Sequence, residues 1–188
     1  MACHQAERAL KAGDAAPGFT LADQEGQAFS SARLLAEGPL FLAFLWGNWC
    51  PLCDRDLEAM EQARPEMERR GASVVAVTPQ TAENGRLWGY KQPLGFPVLS
   101  DPGGRLAAKF GLRWVVPDGL KDIFEAVGAD LASINDDKVW RLPLPARYVI
   151  DRGGTVAYAE TDADYARRPN PAGVLPVLDA LNRNRPTF

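Results

Sequence analysis

The chain has 188 residues, and its 21 Lys and Arg against 24 Asp and Glu give a formal net charge of −3. The length favours a single domain over residues 1–188, and a hydrophobic share of 46% is typical of a globular protein rather than a disordered one. The slightly acidic balance argues against broad nucleic-acid binding, which needs a dense basic surface. No apolar run approaches the roughly 20 residues that cross a bilayer.

Reactive side chains are few. The single histidine, His4, lies at the start of the sequence, where it is a poor base for a Ser–His or Cys–His site. The three cysteines, Cys3, Cys50 and Cys53, are too few and odd in number for a disulfide scaffold, and they make a weak candidate for a zinc site. The opening residues lack the apolar core of a signal peptide, so we expect a cytoplasmic protein. Because ligating side chains are so few, we expect no metal, and we expect no cofactor.

Buried strands alternate with helices along the chain. Continuous apolar runs predict strands covered on both faces, and apolar residues at helical spacing predict the helices between them. In chain order, the predicted elements are a strand at 40–46, a helix at 53–70, a strand at 73–77, a helix after 81, a strand at 96–100, helices at 104–111 and 118–128, a hairpin of 147–150 with 155–159, and a helix from 170. This order predicts an α/β fold with helices on both faces of a mixed sheet.

Three local signals refine these elements. Pro65 falls inside the helix at 53–70 and predicts a kink or a break there. Thr81 and Asp118 stand where side chains cap the helices that follow them. Residues 118–128 carry an apolar stripe, which predicts an amphipathic helix.

The chemistry is concentrated in Trp49-Cys50-Pro51-Leu52-Cys53, between a buried strand and a helix. Two cysteines three positions apart at the start of a helix are close enough to form a disulfide, and the helix dipole there stabilises a thiolate. Pro51 suits the first helical turn, where no amide hydrogen is needed. Trp49 is expected to shield the sulfurs or to contact substrate. The alternative is a pair of inert, partly buried cysteines.

A second candidate element is Pro145, which directly precedes the predicted strand at 147–150. X–Pro bonds are the peptide bonds that adopt the cis form at modest cost. A cis bond here would bring the backbone against the dithiol and leave groups free to pair with an incoming chain. A trans proline in an ordinary loop is an equal alternative from the local sequence.

Several stretches together resemble the AhpC/TSA, or peroxiredoxin-like, branch of the thioredoxin-like superfamily. They cover roughly residues 11 to 180 and comprise 11–21, 49–53, 75–80, 96–101, 110–112, 145–151, Asp164-Tyr165 and Arg168-Pro169. The resemblance implies a thioredoxin-like fold with an N-terminal extension, to which this chain adds an insertion near 113–142. It also implies a thiol-dependent oxidoreductase and places Pro145 as a cis-proline facing the dithiol.

The resemblance also assigns positions around the cysteines. Cys53 falls at the peroxidatic position, Cys50 at the position of the usual threonine, Trp46 at that of the proline, and Asp56 where glutamate is common. A peroxidase needs donors and a cation to stabilise charge on the peroxide oxygens. In this chain the threonine, which is one of those donors, is replaced by the thiol of Cys50.

Two residues could compensate for these departures. The arginine that relatives carry before the strand is replaced by Pro145, and Arg147 would substitute for it only if it points at the site. Thr78 would supply a nearby hydroxyl group.

Two reactions of the cysteine pair follow from these assignments. In disulfide exchange Cys50 attacks first and Cys53 resolves the mixed disulfide; in peroxide reduction Cys53 is oxidised to a sulfenic acid and Cys50 condenses with it.

Two other classes of function remain open from the sequence. One is a copper-binding module, since Cu(I) prefers thiolates, although the single histidine is far from the pair. The other is a redox-silent interaction domain that uses 113–142 as its surface. For the oxidoreductase, the expected partners are a thiol reductant of the thioredoxin, glutaredoxin or glutathione type and a disulfide or peroxide substrate. Nucleic acid and membrane are not expected partners, and a homodimer is expected by analogy with the family.

Overall fold

A mixed sheet of seven strands forms the centre of the protein. The computed structural model describes residues 6–91, 93–162 and 164–183. The strands are β1 (Thr20–Asp23), β2 (Ala28–Ser30), β3 (Leu40–Phe44), β4 (Ser73–Thr78), β5 (Val98–Ser100), β6 (Arg113–Val115), β7 (Arg141–Pro143), β8 (Ala146–Ile150) and β9 (Val156–Thr161). Their spatial order in the central sheet is β2-β1-β5-β4-β3-β8-β9. Strands β3, β4 and β5 run parallel to one another, and β8 pairs antiparallel with β3.

Helices cover both faces of this sheet, as the sequence predicts. They are α1 (Ser31–Glu37), α2 (Pro51–Arg69), α3 (Ala82–Lys91), α4 (Arg105–Lys109), α5 (Asp118–Ala126), α6 (Leu131–Ile134) and α7 (Leu175–Arg183), with short 3₁₀ turns at Pro102–Gly104 and Pro171–Val174. Every residue of β3 is buried, because alternate side chains enter two different cores. Phe41 joins the core under α2, and Phe44 joins the one that contains Phe110 and Tyr148.

Helix α2 differs from its prediction in two ways. It begins at Pro51, two residues before the predicted start, and it continues through Pro65 to Arg69. Of the kink or break predicted at Pro65, the break is therefore wrong. Met60 and Met67 are fully buried on either side of the proline. Packing of this apolar face holds the helix together although Pro65 donates no backbone hydrogen bond.

Of the two predicted helix caps, one is confirmed and one is wrong. The Oγ1 of Thr81 accepts a hydrogen bond from the backbone N–H of Asn84 at 3.3 Å. Asp118 is instead the first residue of α5, whose capping residue is Pro117. The Asp118 carboxylate forms an ion pair with the ammonium group of Lys121 in the same helix, with 2.8 Å between the Oδ1 and Nζ atoms. A side chain inside the first turn still stabilises the helix electrostatically without capping it.

The insertion at 113–142 forms a small layer of its own. Strands β6 and β7 pair antiparallel as a separate two-stranded sheet, and α5 and α6 connect them. Helix α5 has the predicted amphipathic pattern, but its apolar side is not enclosed: Ile123 is 56% exposed and Val127 is 73% exposed. None of the helices among the described residues combines the length and apolar character needed to cross a membrane.

Gly111 shows how closely the N-terminal segment packs on the domain. Its φ is +73°, and a Cβ built there would lie 2.1 Å from the backbone carbonyl oxygen of Arg8. Gly128 has a similar φ of +81° but no atom within 4 Å of its Cβ position. The two glycines therefore share the backbone strain that a side chain would introduce and differ only in the close contact.

We expect Gly111→Ala to lower the free energy of unfolding by about 2–4 kcal/mol, because backbone strain adds to the clash with the Arg8 carbonyl. The control Gly128→Ala should cost only about 1 kcal/mol, since strain acts there alone. Urea unfolding followed by circular dichroism measures both. Equal losses in the two variants would contradict the packing described here.

Candidate active site

The two cysteines of the motif lie where the chain leaves β3 and enters α2. Cys50 occupies the capping position, and Pro51 is the first helical residue, as the sequence predicts. The backbone N–H of Cys50 donates to the carbonyl of Gly47 at 3.1 Å, which closes a tight turn before the helix. The N–H of Cys53 donates to the Cys50 carbonyl at 2.9 Å. The N-terminus of α2 thus carries both sulfurs on its first turn.

The thiols of Cys50 and Cys53 contact each other, and both cysteines are free. A hydrogen bond from the Cys53 thiol lowers the pKa of Cys50 to about 7, and backbone N–H groups of Cys53 and Leu52 act in the same direction. Burial opposes these effects, and the charge of Arg168 assists them. Cys50 is therefore the thiol that ionises near neutral pH.

Cys53 has the opposite character. Its side chain is fully buried, and this desolvation raises the pKa of its thiol well above the usual value. The hydrogen bond it donates to Cys50, and the negative charge there, raise its pKa further. The backbone N–H of Trp46 lies 3.4 Å from the Cys53 sulfur and donates to it. Both cysteines are buried, with Cys50 4% exposed, so the pair is distinguished by one thiol that ionises near neutral pH and one that stays protonated.

Aromatic rings form a wall beside the sulfurs. The rings of Trp46 and Trp49 stack with centroids 5.6 Å apart and an interplanar angle of 15°. Phe124 of α5 lies 5.4 Å from Trp49, and Tyr165 lies 5.0 Å from Trp46. The indole N–H of Trp46 donates to the carbonyl of Pro143 at 2.8 Å, which fixes the ring. The insertion therefore contributes directly to the wall, a role that its sequence did not reveal.

A buried group of charges lies one helical turn beyond Cys53. The carboxylate of Asp56 accepts ion pairs from the guanidinium groups of both Arg147 and Arg168. Arg147 also pairs with Glu160 at 3.3 Å and donates to the Pro169 carbonyl. Because its hydrogen bonds lie within this group, Arg147 is not aimed at the sulfurs. Arg168 is the cation whose charge acts on both cysteines.

Thr78 and Pro145 occupy supporting positions rather than catalytic ones. The hydroxyl of Thr78 donates to the carbonyl of Trp46 at 3.2 Å, so it supports the loop before the dithiol. All peptide bonds of the described residues are trans, so the cis form expected at Pro145 is wrong. The N–H of Leu144 donates to the Leu112 carbonyl at 2.8 Å, which ties this connection to the residue that precedes the insertion. Pro145 lines a cavity of about 420 Å³ together with Arg147 and Arg168.

His4 and Cys3, the remaining residues considered as metal ligands, lie outside the described residues. Within the part of the chain that the structure describes, no three His, Cys, Asp or Glu side chains are grouped so that they could hold a metal ion.

Comparison with known proteins places this geometry in context. The model of the AhpC/TSA family matches residues 12–159. Thiol-disulfide oxidoreductase ResA of Halalkalibacterium halodurans is 33% identical over 110 residues, which cover 57% of this chain and 61% of that protein. The chloroplastic peroxiredoxin Q of Oryza sativa subsp. japonica is 28% identical over 146 residues, covering 78% of this chain and 57% of that protein. The chain thus spans less than two thirds of the length of either relative.

Solved structures show the same architecture. Peroxidoxin BcpB from Mycobacterium tuberculosis superposes with a TM-score of 0.71 at 21% identity, covering 94% of this chain and 99% of that one. A thiol:disulfide interchange protein of the DsbE type from Chlorobium tepidum gives a TM-score of 0.58 at 22% identity, covering 92% of this chain and 98% of that one. The fold is thioredoxin-like.

Substitution of Asp56 tests how much its ion pairs with the two arginines stabilise the protein. We expect Asp56→Asn to lower the free energy of unfolding by about 3–5 kcal/mol, because the buried guanidinium of Arg147 and the partly buried one of Arg168 lose their shared carboxylate. Glu58→Gln changes an exposed acid on the same helix and should alter stability by less than about 0.5 kcal/mol. Chemical denaturation measures both. A loss below about 1 kcal/mol in Asp56→Asn would contradict the arrangement described.

Proposed function

This chain belongs to the AhpC/TSA family, and we propose that it is a thiol–disulfide oxidoreductase whose redox pair is Cys50 and Cys53. The observation that carries the proposal is the contact between the two thiols, with the pKa of one lowered and that of the other raised. Such a pair has a nucleophile ready near neutral pH and a second sulfur within bonding reach. The identity with ResA supports the same assignment.

The proposed reaction transfers two electrons from the dithiol to a substrate disulfide. The Cys50 thiolate attacks one substrate sulfur and forms a mixed disulfide, while the other substrate sulfur leaves as a thiolate and takes up a proton. Cys53 then loses its proton and attacks the Cys50 sulfur, which releases the second substrate thiol. The products are a reduced substrate and a Cys50–Cys53 disulfide. A thiol reductant restores the pair by the reverse exchange.

The first step also prepares the second. In the reduced protein, the Cys53 thiol donates a hydrogen bond to Cys50, and the charge of Cys50 raises the pKa of Cys53. Once the Cys50 sulfur is bonded to substrate it carries no charge, so both effects disappear. The pKa of Cys53 then falls, which favours the thiolate that resolves the mixed disulfide.

Peroxide is the second candidate substrate class, favoured by the 28% identity with peroxiredoxin Q. The geometry favours disulfide exchange over it. A peroxidatic Cys53 would be a fully buried thiol of raised pKa, and Arg147 is held by Asp56 and Glu160 rather than aimed at the sulfur. We therefore expect the protein to consume peroxide only slowly.

The proposed partners follow from this chemistry. The reductant is a thiol of the thioredoxin, glutaredoxin or glutathione type, and the substrate is a disulfide or, less favourably, a peroxide. A reducing compartment such as the cytoplasm suits a pair that must return to the dithiol after each turnover. A homodimer stays a prediction from the family.

The order of attack is tested by replacing each cysteine with serine. We expect Cys53→Ser to accumulate a mixed disulfide with hydroxyethyl disulfide and Cys50→Ser to form none. The pKa of the Cys53 thiol is raised and its side chain has no exposed surface, whereas Cys50 keeps 4% exposure and a lowered pKa. Mass spectrometry of the quenched proteins identifies the adducts. In parallel stopped-flow runs, wild-type protein should react faster with the disulfide than with hydrogen peroxide. Trapping of a sulfenic acid on Cys53 in Cys50→Ser would overturn the assignment.

The pH dependence of alkylation tests the split between the two thiols. We expect the rate of iodoacetamide modification at Cys50 to rise with pH and to reach half of its maximum near pH 7, because the thiolate is the reacting form. Cys53 should stay unmodified over this range. Peptide mass mapping separates the two sites, and free glutathione provides the unperturbed control. A midpoint for Cys50 at about pH 8.5 or above would show that the site does not stabilise the Cys50 thiolate.

A further inference from the structure

The loop that precedes the dithiol is held by a buried glutamine from the neighbouring strand. Gln80 follows β4, and its side chain is fully buried. Its Oε1 accepts a hydrogen bond from the backbone N–H of Asn48 at 2.8 Å, and its Nε2 donates to the Oδ1 of Asn48 at 2.8 Å. Two hydrogen bonds therefore fix both the backbone and the side chain of Asn48, two residues before Cys50.

The orientation of these amides follows from their partners. A backbone N–H only donates, so the Gln80 atom that faces it is the oxygen. The Nδ2 of Asn48 then donates to the backbone carbonyl of Asn84 at 3.0 Å. Each step is a donor facing an acceptor, which makes the connection self-consistent.

The same chain of hydrogen bonds reaches the insertion. The Nδ2 of Asn84 donates to the carbonyl of Ile134, at the end of α6, at 3.0 Å. The backbone N–H of Thr81 donates to that carbonyl at 3.2 Å. The loop before the dithiol is thus tied through Asn48 and Asn84 to residues 113–142.

This part of the site has no spare space. Gly47 has a φ of +153°, and a Cβ built on it would lie 2.7 Å from the Gln80 side chain and 2.9 Å from the Nε1 of Trp49. Gly47 also accepts the backbone hydrogen bond of Cys50. Gln80 therefore packs against the turn that places Cys50 at the start of α2.

We propose that Gln80 is a positioning residue of the redox site: by holding Asn48 it fixes the turn at 47–50, so that the Cys50 sulfur faces the N–H groups that begin α2. Helix α6 of the insertion supports this arrangement through Asn84. The inference rests on the proposed function only in taking Cys50 as the reactive thiol. It gives the insertion a chemical role in addition to the aromatic contact made by Phe124.

The physical consequence concerns the stability of the Cys50 thiolate. Backbone N–H groups of Leu52 and Cys53 stabilise it, and they do so only when the sulfur lies against the first turn of the helix. Without Gln80, the backbone N–H and the Oδ1 of Asn48 lose their buried partners, while its Nδ2 still donates to the Asn84 carbonyl, so the turn is less constrained. The sulfur then spends less time against the helix, and less of it is ionised at neutral pH.

The test measures alkylation of Cys50 by iodoacetamide across pH in Gln80→Leu, which replaces the amide by an apolar side chain of similar size and removes both hydrogen bonds. We expect the midpoint of the pH profile to rise, with a rate at pH 7 about fivefold lower after a one-unit increase and about fiftyfold lower after two. Asn48→Ala keeps the backbone hydrogen bond to Gln80 and should show a smaller decrease. Peptide mass mapping confines the signal to Cys50, and the assay needs no substrate.

The matched control is Ser31→Ala. Ser31 is a buried residue of α1 whose Oγ accepts a hydrogen bond from the backbone N–H of Phe19 at 3.0 Å, outside the hydrogen bonds that reach Asn48. Its alkylation profile should equal that of the wild type. A wild-type profile in folded Gln80→Leu, or an equal loss in Ser31→Ala, would overturn the proposal. Failure of the wild type to reduce hydroxyethyl disulfide, with the graded alkylation effect present, would refute the proposed function alone.

Discussion

The hydrogen bond between the thiols of Cys53 and Cys50 is the interaction on which the site depends. It lowers the pKa of one sulfur and raises that of the other, so a single contact distinguishes the proposed attacking thiol from the proposed resolving one. It forms only because a tight turn and a helix N-terminus bring residues three positions apart onto one side of the chain. The rest of the structure serves to hold that turn against a buried sheet.

Three layers of support surround this contact. Asp56 and its two arginines anchor the helix from behind, the stacked indoles of Trp46 and Trp49 close one side, and Gln80 holds the loop. Each layer joins segments that lie far apart in the sequence, and two of them involve the insertion. The site is therefore built by the whole domain, although its reacting atoms come from one short motif.

The sequence predicted the parts of the structure that local pattern determines. The apolar run at β3, the start of α2 near the cysteines and the cap at Thr81 all follow from the identity of neighbouring residues. The pairing of Asp56 with Arg147 and Arg168 bridges 91 and 112 positions, and no local signal encodes it. The helix persists through Pro65, and the apolar side of α5 stays open, because tertiary packing decides both outcomes.

The two stacked indoles have a spectroscopic consequence. Trp46 donates its backbone N–H to one sulfur of the pair, and Trp49 precedes the other in the chain. A disulfide formed so close to excited indole rings quenches their emission by accepting an electron. The intrinsic fluorescence of the protein should therefore dim on oxidation and recover on reduction, which would let its redox state be followed without any added dye.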